Sequence, residues 1–145
     1  LLGRLTSKFN VVFGVEVDRA YAKDILDLAG KNVSLLFGYF PEVTKGHEPG
    51  RNSLVLGLDI FEHAHDPEAF LAECGRLLRK DGQLLLMLPR ADGLEEGSRF
   101  LAPDEHVWLH SKDNLGKMLC AAGLSGVKWD RWAQGHDTVS ARKWT

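Results

Sequence analysis

Residues 54–89 constrain the fold more than any other part of the chain. They run from an apolar stretch, LVLGLDI, through a turn carrying Glu62, His63, His65 and Asp66, into a helical segment. An Asp81-Gly82 turn then leads into a second apolar stretch, QLLLML, that ends at Pro89. In the helical segment Phe70, Leu71, Cys74, Leu77 and Leu78 recur at the spacing of one helix face. Asp66 has the acceptor oxygen of an N-cap, and Pro67 suits the first helical position. The two apolar runs lack the alternation of a half-exposed strand, so they read as strands covered on both faces. Strand, helix and strand in this order make a parallel crossover unit. Ligands of open parallel sheets bind at the carboxyl ends of the strands. Asp59, Glu62, His63, His65 and Asp66 cluster at such an end.

The rest of the chain extends this pattern. Residues 10–17, NVVFGVEV, are β-branched and apolar and read as a strand. Ala22, Ile25, Leu26 and Ala29 give a helical stripe, with Gly30 at its C-cap. Residues 33–37 read as a short strand, residues 41–53 as loop, and residues 54–60 as the third strand. Residues 90–105 read as a long loop. Ser111 can cap a helix with the stripe Leu115, Met118, Leu119 and Ala122, closed by Gly123. Residues 127–132 and 138–143 read as a final antiparallel strand pair. Alternating strands and helices predict a doubly wound, mostly parallel α/β sheet.

A chain of 145 residues is one domain's worth of sequence, able to bury about two-thirds of its unfolded surface. Eighteen basic against 20 acidic residues give a formal net charge of −2, and the basic residues form no run, so nucleic-acid binding is not expected. No apolar stretch nears the roughly 18 residues of a membrane span, and no signal-peptide pattern is visible. Cys74 and Cys120 both fall in predicted helices and read as buried free thiols of a reducing, cytoplasmic protein.

Residues 58–89 resemble one family closely. Class I S-adenosylmethionine-dependent methyltransferases carry an apolar strand, an Asp, two apolar residues, Glu-His, a short turn, Asp-Pro, a helix ending in Arg-x-Leu-Lys-x-Gly-Gly, and an apolar strand ending in Pro. Here these are Asp59, Glu62-His63, Asp66-Pro67, Arg76 to Gly82, and Pro89. The resemblance implies a Rossmann-like sheet with a reversed terminal strand and S-adenosylmethionine as cofactor. It implies cofactor contacts at Gly3, Glu16, Val17, Gly38, Tyr39, Leu58 and Asp59. Gly3-Arg4-Leu5-Thr6 looks like the end of the family's Gly-rich turn. The first strand and most of that turn are missing, so residues 1–145 are expected to be a single, N-terminally incomplete methyltransferase-like domain. Two positions depart from the family: Tyr39 stands where an adenine-binding Asp is common, and Asn52-Ser53 where Phe-Asp is usual.

The residues themselves carry plain chemistry. A carboxylate at a strand end, Glu16, can accept both hydroxyls of a ribose; Asp18 is the competing acid. Asp59 and Glu62 can act in acid–base chemistry or cap backbone amides. His63, His65 and Asp66 are possible metal ligands, but Asp66 is better used as a cap, and no metal site is expected. His106, before the last helix, and His63 are the candidate bases for a substrate hydroxyl or amine. The loop 90–105 is the expected substrate lid. The expected function is methyl transfer to a small-molecule acceptor, with neither nucleic acid nor membrane as partner. The rivals are a non-catalytic binding or assembly module of the same fold and an NAD-dependent oxidoreductase, whose ribose Glu16 would suit equally.

Overall fold

The β-branched run near the N-terminus forms strand β1 (Val12–Glu16) in the computed structural model of the chain, which describes residues 2–28, 31–89, 109–131 and 136–144. The chain divides into two units, Leu1–Gly46 and His47–Thr145.

In the first unit a short helix, α1 (Leu2–Thr6), precedes β1. A 3₁₀ turn (Arg19–Tyr21) runs into α2 (Ala22–Leu28), and β2 (Val33–Phe37) follows. The two strands pair in parallel, from Val12 opposite Val33 to Glu16 opposite Phe37. Asn32 fixes the entry to β2: its side-chain amide donates to the carbonyls of Thr6 and Phe9, and its own carbonyl accepts from Val12 N–H. One expectation is corrected here. Leu26 does not belong to a buried stripe but is 49% exposed, as is much of β1, with Phe13 at 48% and Val15 at 39%. Ala29 and Gly30 lie outside the described residues.

The second unit holds the core. Its strands are β3 (Asn52–Leu58), β4 (Leu78–Pro89), β5 (Leu124–Arg131) and β6 (His136–Lys143), in the order β3-β4-β6-β5. β3 and β4 are parallel, as the crossover through α3 (Pro67–Leu77) requires; β6 runs antiparallel to both β4 and β5. The final strand pair is therefore present, with β5 beginning at Leu124 rather than at 127. Asp66 caps α3 by accepting from Ala69 N–H at 2.9 Å, with Pro67 in the first turn. Phe70, Leu71, Cys74, Leu77 and Leu78 are all buried, as their spacing predicts. Ser111 caps α4 (Lys112–Ala121), whose Leu115 and Leu119 are fully buried. Gly75 lets α3 approach the end of α4 closely, since a Cβ there would run into the Ala122 carbonyl oxygen.

The starts of β3 and β4 differ from the sequence reading for one physical reason. Strand β3 starts at Asn52, and β4 starts at Leu78 instead of after a turn at Asp81-Gly82. Asn52 pairs with Leu78 and Leu54 with Gln83, so a bulge takes up the extra residues of β4. Asp81 has φ +60 there, and a Cβ on Gly82 would lie 2.9 Å from the Asn52 carbonyl oxygen. The turn residues are real signals, spent on a bulge inside a strand. Cys120 is also corrected: both thiols are free, but only Cys74 is buried. Burial pushes the Cys74 thiol well above its ordinary range, which removes it from thiolate chemistry. Among the described residues no helix is long and apolar enough to cross a membrane.

Candidate functional site

Parallel pairing brings the carboxyl ends of neighbouring strands to one edge, and each unit has such an edge. In the first unit it is formed after β1 and β2. Glu16, the last residue of β1, accepts from Asp18 N–H through Oε1 at 2.9 Å. Asp18 is itself occupied, because its Oδ1 accepts from Ala20 N–H at 2.8 Å and caps the 3₁₀ turn. The structure thus separates the two acids: Asp18 has a local backbone task, and Glu16 keeps a second carboxylate oxygen beyond the one held by that turn. Val17, between them, is 46% exposed. Gly38 follows β2 with φ +140 and donates its N–H to the Glu16 carbonyl at 3.0 Å. Any side chain at Gly38 would strike Val43, so the backbone there stays bare. Tyr39 comes next and is 67% exposed. Gly3 lies within α1.

In the second unit the edge is formed after β3 and β4. Leu58 closes β3 and is 37% exposed. Asp59 follows in a left-handed conformation, φ +49, with its N–H donated to the Met87 carbonyl of β4 at 3.0 Å. Asp and Asn tolerate that conformation far better than other residues with a Cβ. A 3₁₀ turn, Phe61–His63, buries Phe61 and Glu62 completely or nearly so. His63 is half-exposed, with Nε2 4.0 Å from Glu62 Oε1. The Phe61 ring packs against Phe70 at 5.3 Å and against the His110 ring at 5.0 Å. Burial holds the His110 imidazole below its ordinary value.

Antiparallel β6 begins where β4 ends, with His136 opposite Pro89. His136 Nε2 lies 3.1 Å from Asp59 Oδ1. The neighbouring Asp137 is buried and faces the Lys112 ammonium of α4 at 3.5 Å; that ammonium also lies over the Trp129 ring. His136 escapes a sequence reading that starts the last strand at 138. The signal available was the antiparallel pairing itself, which returns the first residue of the last strand to the carboxyl end of the one before it.

Arg76, which matches the family's helix-end Arg, has a structural task. Its guanidinium forks onto Glu73 at 2.6 and 2.7 Å and donates to the His47 carbonyl at 2.7 Å. The loop 90–105 and His106 lie outside the described residues. Among the described residues no group of acids, histidines and cysteines is arranged to hold a metal ion; His65 and Asp66 are both exposed, and Asp66 is the helix cap.

A family model described as a methyltransferase domain matches residues 9–128. The chain belongs to this methyltransferase domain family. Among curated proteins, none matches its sequence. Solved structures with the same fold include a Haloferax volcanii methyltransferase in complex with the Trm112 methyltransferase activator. It is 15% identical, with TM-score 0.77, over 94% of this chain and 73% of that one. A Thermotoga maritima S-adenosylmethionine-dependent methyltransferase is 16% identical, with TM-score 0.70, over 98% and 77%. Haemonchus contortus phosphoethanolamine N-methyltransferase 2, solved with S-adenosyl-L-methionine, is 14% identical, with TM-score 0.78, over 98% and 45%. At these identities the likeness is one of fold. This methyltransferase domain therefore has the Rossmann-like α/β fold with the reversed terminal strand expected of it, and its strand order β3-β4-β6-β5 carries that reversal.

Proposed function

We propose that this chain is the catalytic domain of an S-adenosylmethionine-dependent methyltransferase acting on a small molecule. The observation that carries the reading is the split of duties at the end of β1: Asp18 is spent on a cap, while Glu16 sits beside a bare Gly38 backbone. An adenosine moiety needs such a place, with a carboxylate for the ribose hydroxyls and an open backbone beside it. Val17 and Tyr39 would flank it. The family resemblance also names Gly3 in the first unit, and the backbone of Leu58 and Asp59 in the second, as cofactor contacts. S-adenosylmethionine, when bound, supplies an electrophilic methyl group on a sulfonium. The protein's own part is to align the acceptor and keep water out. His106 and His63 are the bases that the sequence nominates, and His63 is on the described edge, half-exposed. We take residues 1–145 as a single methyltransferase-like domain of a cytoplasmic protein that acts without nucleic acid, membrane or metal.

Two observations support a second reading, a binding or assembly module of the same fold. Tyr39 replaces an acid and is exposed, and one neighbour is solved with an activator protein. One assay separates the readings. The complete protein is incubated with methyl-labelled S-adenosylmethionine and either a panel of small amines, phenols and carboxylates or a low-molecular-mass cell extract. An enzyme forms S-adenosylhomocysteine and a labelled small product at a rate above that without acceptor. Ligand binding with no transfer to any acceptor supports the module.

A further inference from the structure

We propose that a concavity on the polar face of β4, β6 and β5 binds the phosphoryl group of a small soluble anion, with Arg142 and Lys128 as its cationic contacts. The site lies wholly within the second unit.

The pairing register brings the residues together. Gln83 of β4 stands opposite Arg142 of β6, and Ser140 of β6 stands opposite Lys128 of β5. Arg142 and Ser140 are two residues apart on one strand, so all four side chains share one face of the sheet. The alternate residues Leu84, Val139 and Ala141 are buried on the other face. Between Ser125 and Lys128 the register of β5 shifts, and Gly126 takes φ +63. No atom lies within 4 Å of the place its Cβ would occupy. The missing side chain leaves open a concavity of about 100 Å³, lined by Gln83, Gly126, Lys128, Ser140, Ala141 and Arg142. That is room for an anion of a few atoms, since about 10–15 Å³ seats one water.

The electrostatics favour an anion there. Lys128 and Arg142 are diagonal neighbours across β5 and β6, and their like charges repel. Among the described residues neither side chain takes part in an ion pair or hydrogen bond, and no acid lines the concavity. Asp130, two residues along the same face of β5, pairs with neither cation. A guanidinium fork, an ammonium, a hydroxyl and an amide match the three terminal oxygens of a phosphate monoester better than the two of a carboxylate. The site is remote from the carboxyl edge of β3 and β4. Gln83 and Pro89 bound the stretch of β4 paired with β6, so at about 3.3 Å per residue its two ends lie about 20 Å apart. The anion bound here is therefore a second ligand and not the methyl acceptor.

The test titrates inorganic phosphate and glycerol phosphate into the complete protein by calorimetry, with chloride holding the ionic strength constant. One saturable site in the millimolar range is expected, and phosphate should raise the melting temperature by mass action. Arg142→Gln and Lys128→Gln should each weaken binding about fivefold, the upper end for an exposed charge pair. Both side chains are exposed, so neither variant should melt earlier in the absence of phosphate. Asp130→Asn removes an acid from the same face and should tighten binding, an effect that a purely structural role for these residues would not produce. Absence of saturable binding overturns the proposal, and so does binding that both glutamine variants retain in full. Binding to vesicles containing phosphatidic acid, with no binding of either soluble phosphate, also overturns it, because the face would then be a membrane contact. The experiment uses no methyl donor, so its outcome is independent of the methyltransferase reading.

Discussion

The two units of this chain use the same kind of strand to opposite effect. β1 and β4 are both apolar and both pair in parallel, yet Phe13 and Val15 of β1 are exposed whereas Leu84, Leu86 and Leu88 of β4 are buried. The difference lies in the neighbours. β4 is an inner strand of a four-stranded sheet and packs against α3, while β1 has one partner strand among the described residues. Two-stranded pairs are marginal alone, and parallel strands are stable when both faces are covered. Burial, and with it stability, is a property of the sheet and not of the strand's composition.

This contrast can be broken most directly by cavity mutations. Leu86→Ala, at a fully buried site, should cost about 2–5 kcal/mol in denaturant unfolding. Phe13→Ala, at 48% exposure, should cost less than about 1 kcal/mol. Equal costs would show that the first unit has a core that its exposure conceals. Gly75→Ala should come next, at about 1–3 kcal/mol, because the new methyl meets backbone at Ala122 and not a movable side chain. Gly14→Ala in β1 meets only the tip of Leu35 and should be milder. A reversed order would mean that the helix crossing yields more easily than the strand pair. Hydrogen exchange sharpens the same point: amides of β1 and β2 should exchange before those of β4 and β6.

The smallest expected effect is a pH dependence within the second unit. Burial lowers the His110 pKa, so the unfolded chain takes up this proton first as the pH falls. Its contribution to stability is full above about pH 6.5, the ordinary imidazole value, and is lost as the pH drops below that toward the folded value. His110→Phe should flatten that part of the stability curve. An unchanged curve would mean that the ring beside Phe61 does not need to be neutral.

Local signals were legible in the sequence and distant ones were not. Asp66, Pro67, Ser111 and the stripe Phe70, Leu71, Cys74 and Leu77 act within a turn or two of chain, and each does what its spacing says. The Asp81-Gly82 pair was legible as a special backbone but not as a bulge, because a bulge is defined by the partner strand at Asn52. Leu26 misled because a helical stripe does not say whether anything covers it. The strand-end positions of Glu16, Gly38 and Asp59 were legible in the sequence. The division of labour between Glu16 and Asp18 needed hydrogen bonds, and His136 needed the register of an antiparallel pair 77 residues from Asp59 in sequence.

The central claim is that the end of β1 is built to hold adenosine through Glu16. Calorimetric titration of S-adenosylhomocysteine into the complete protein, its Glu16→Ala variant and its Asp18→Ala variant tests this directly. The account predicts binding to the wild type, a loss of about 1.5–3 kcal/mol for Glu16→Ala, the range for hydrogen bonds to a charged group, and a smaller loss for Asp18→Ala. No binding to the wild type, or a larger loss from Asp18→Ala, would contradict it.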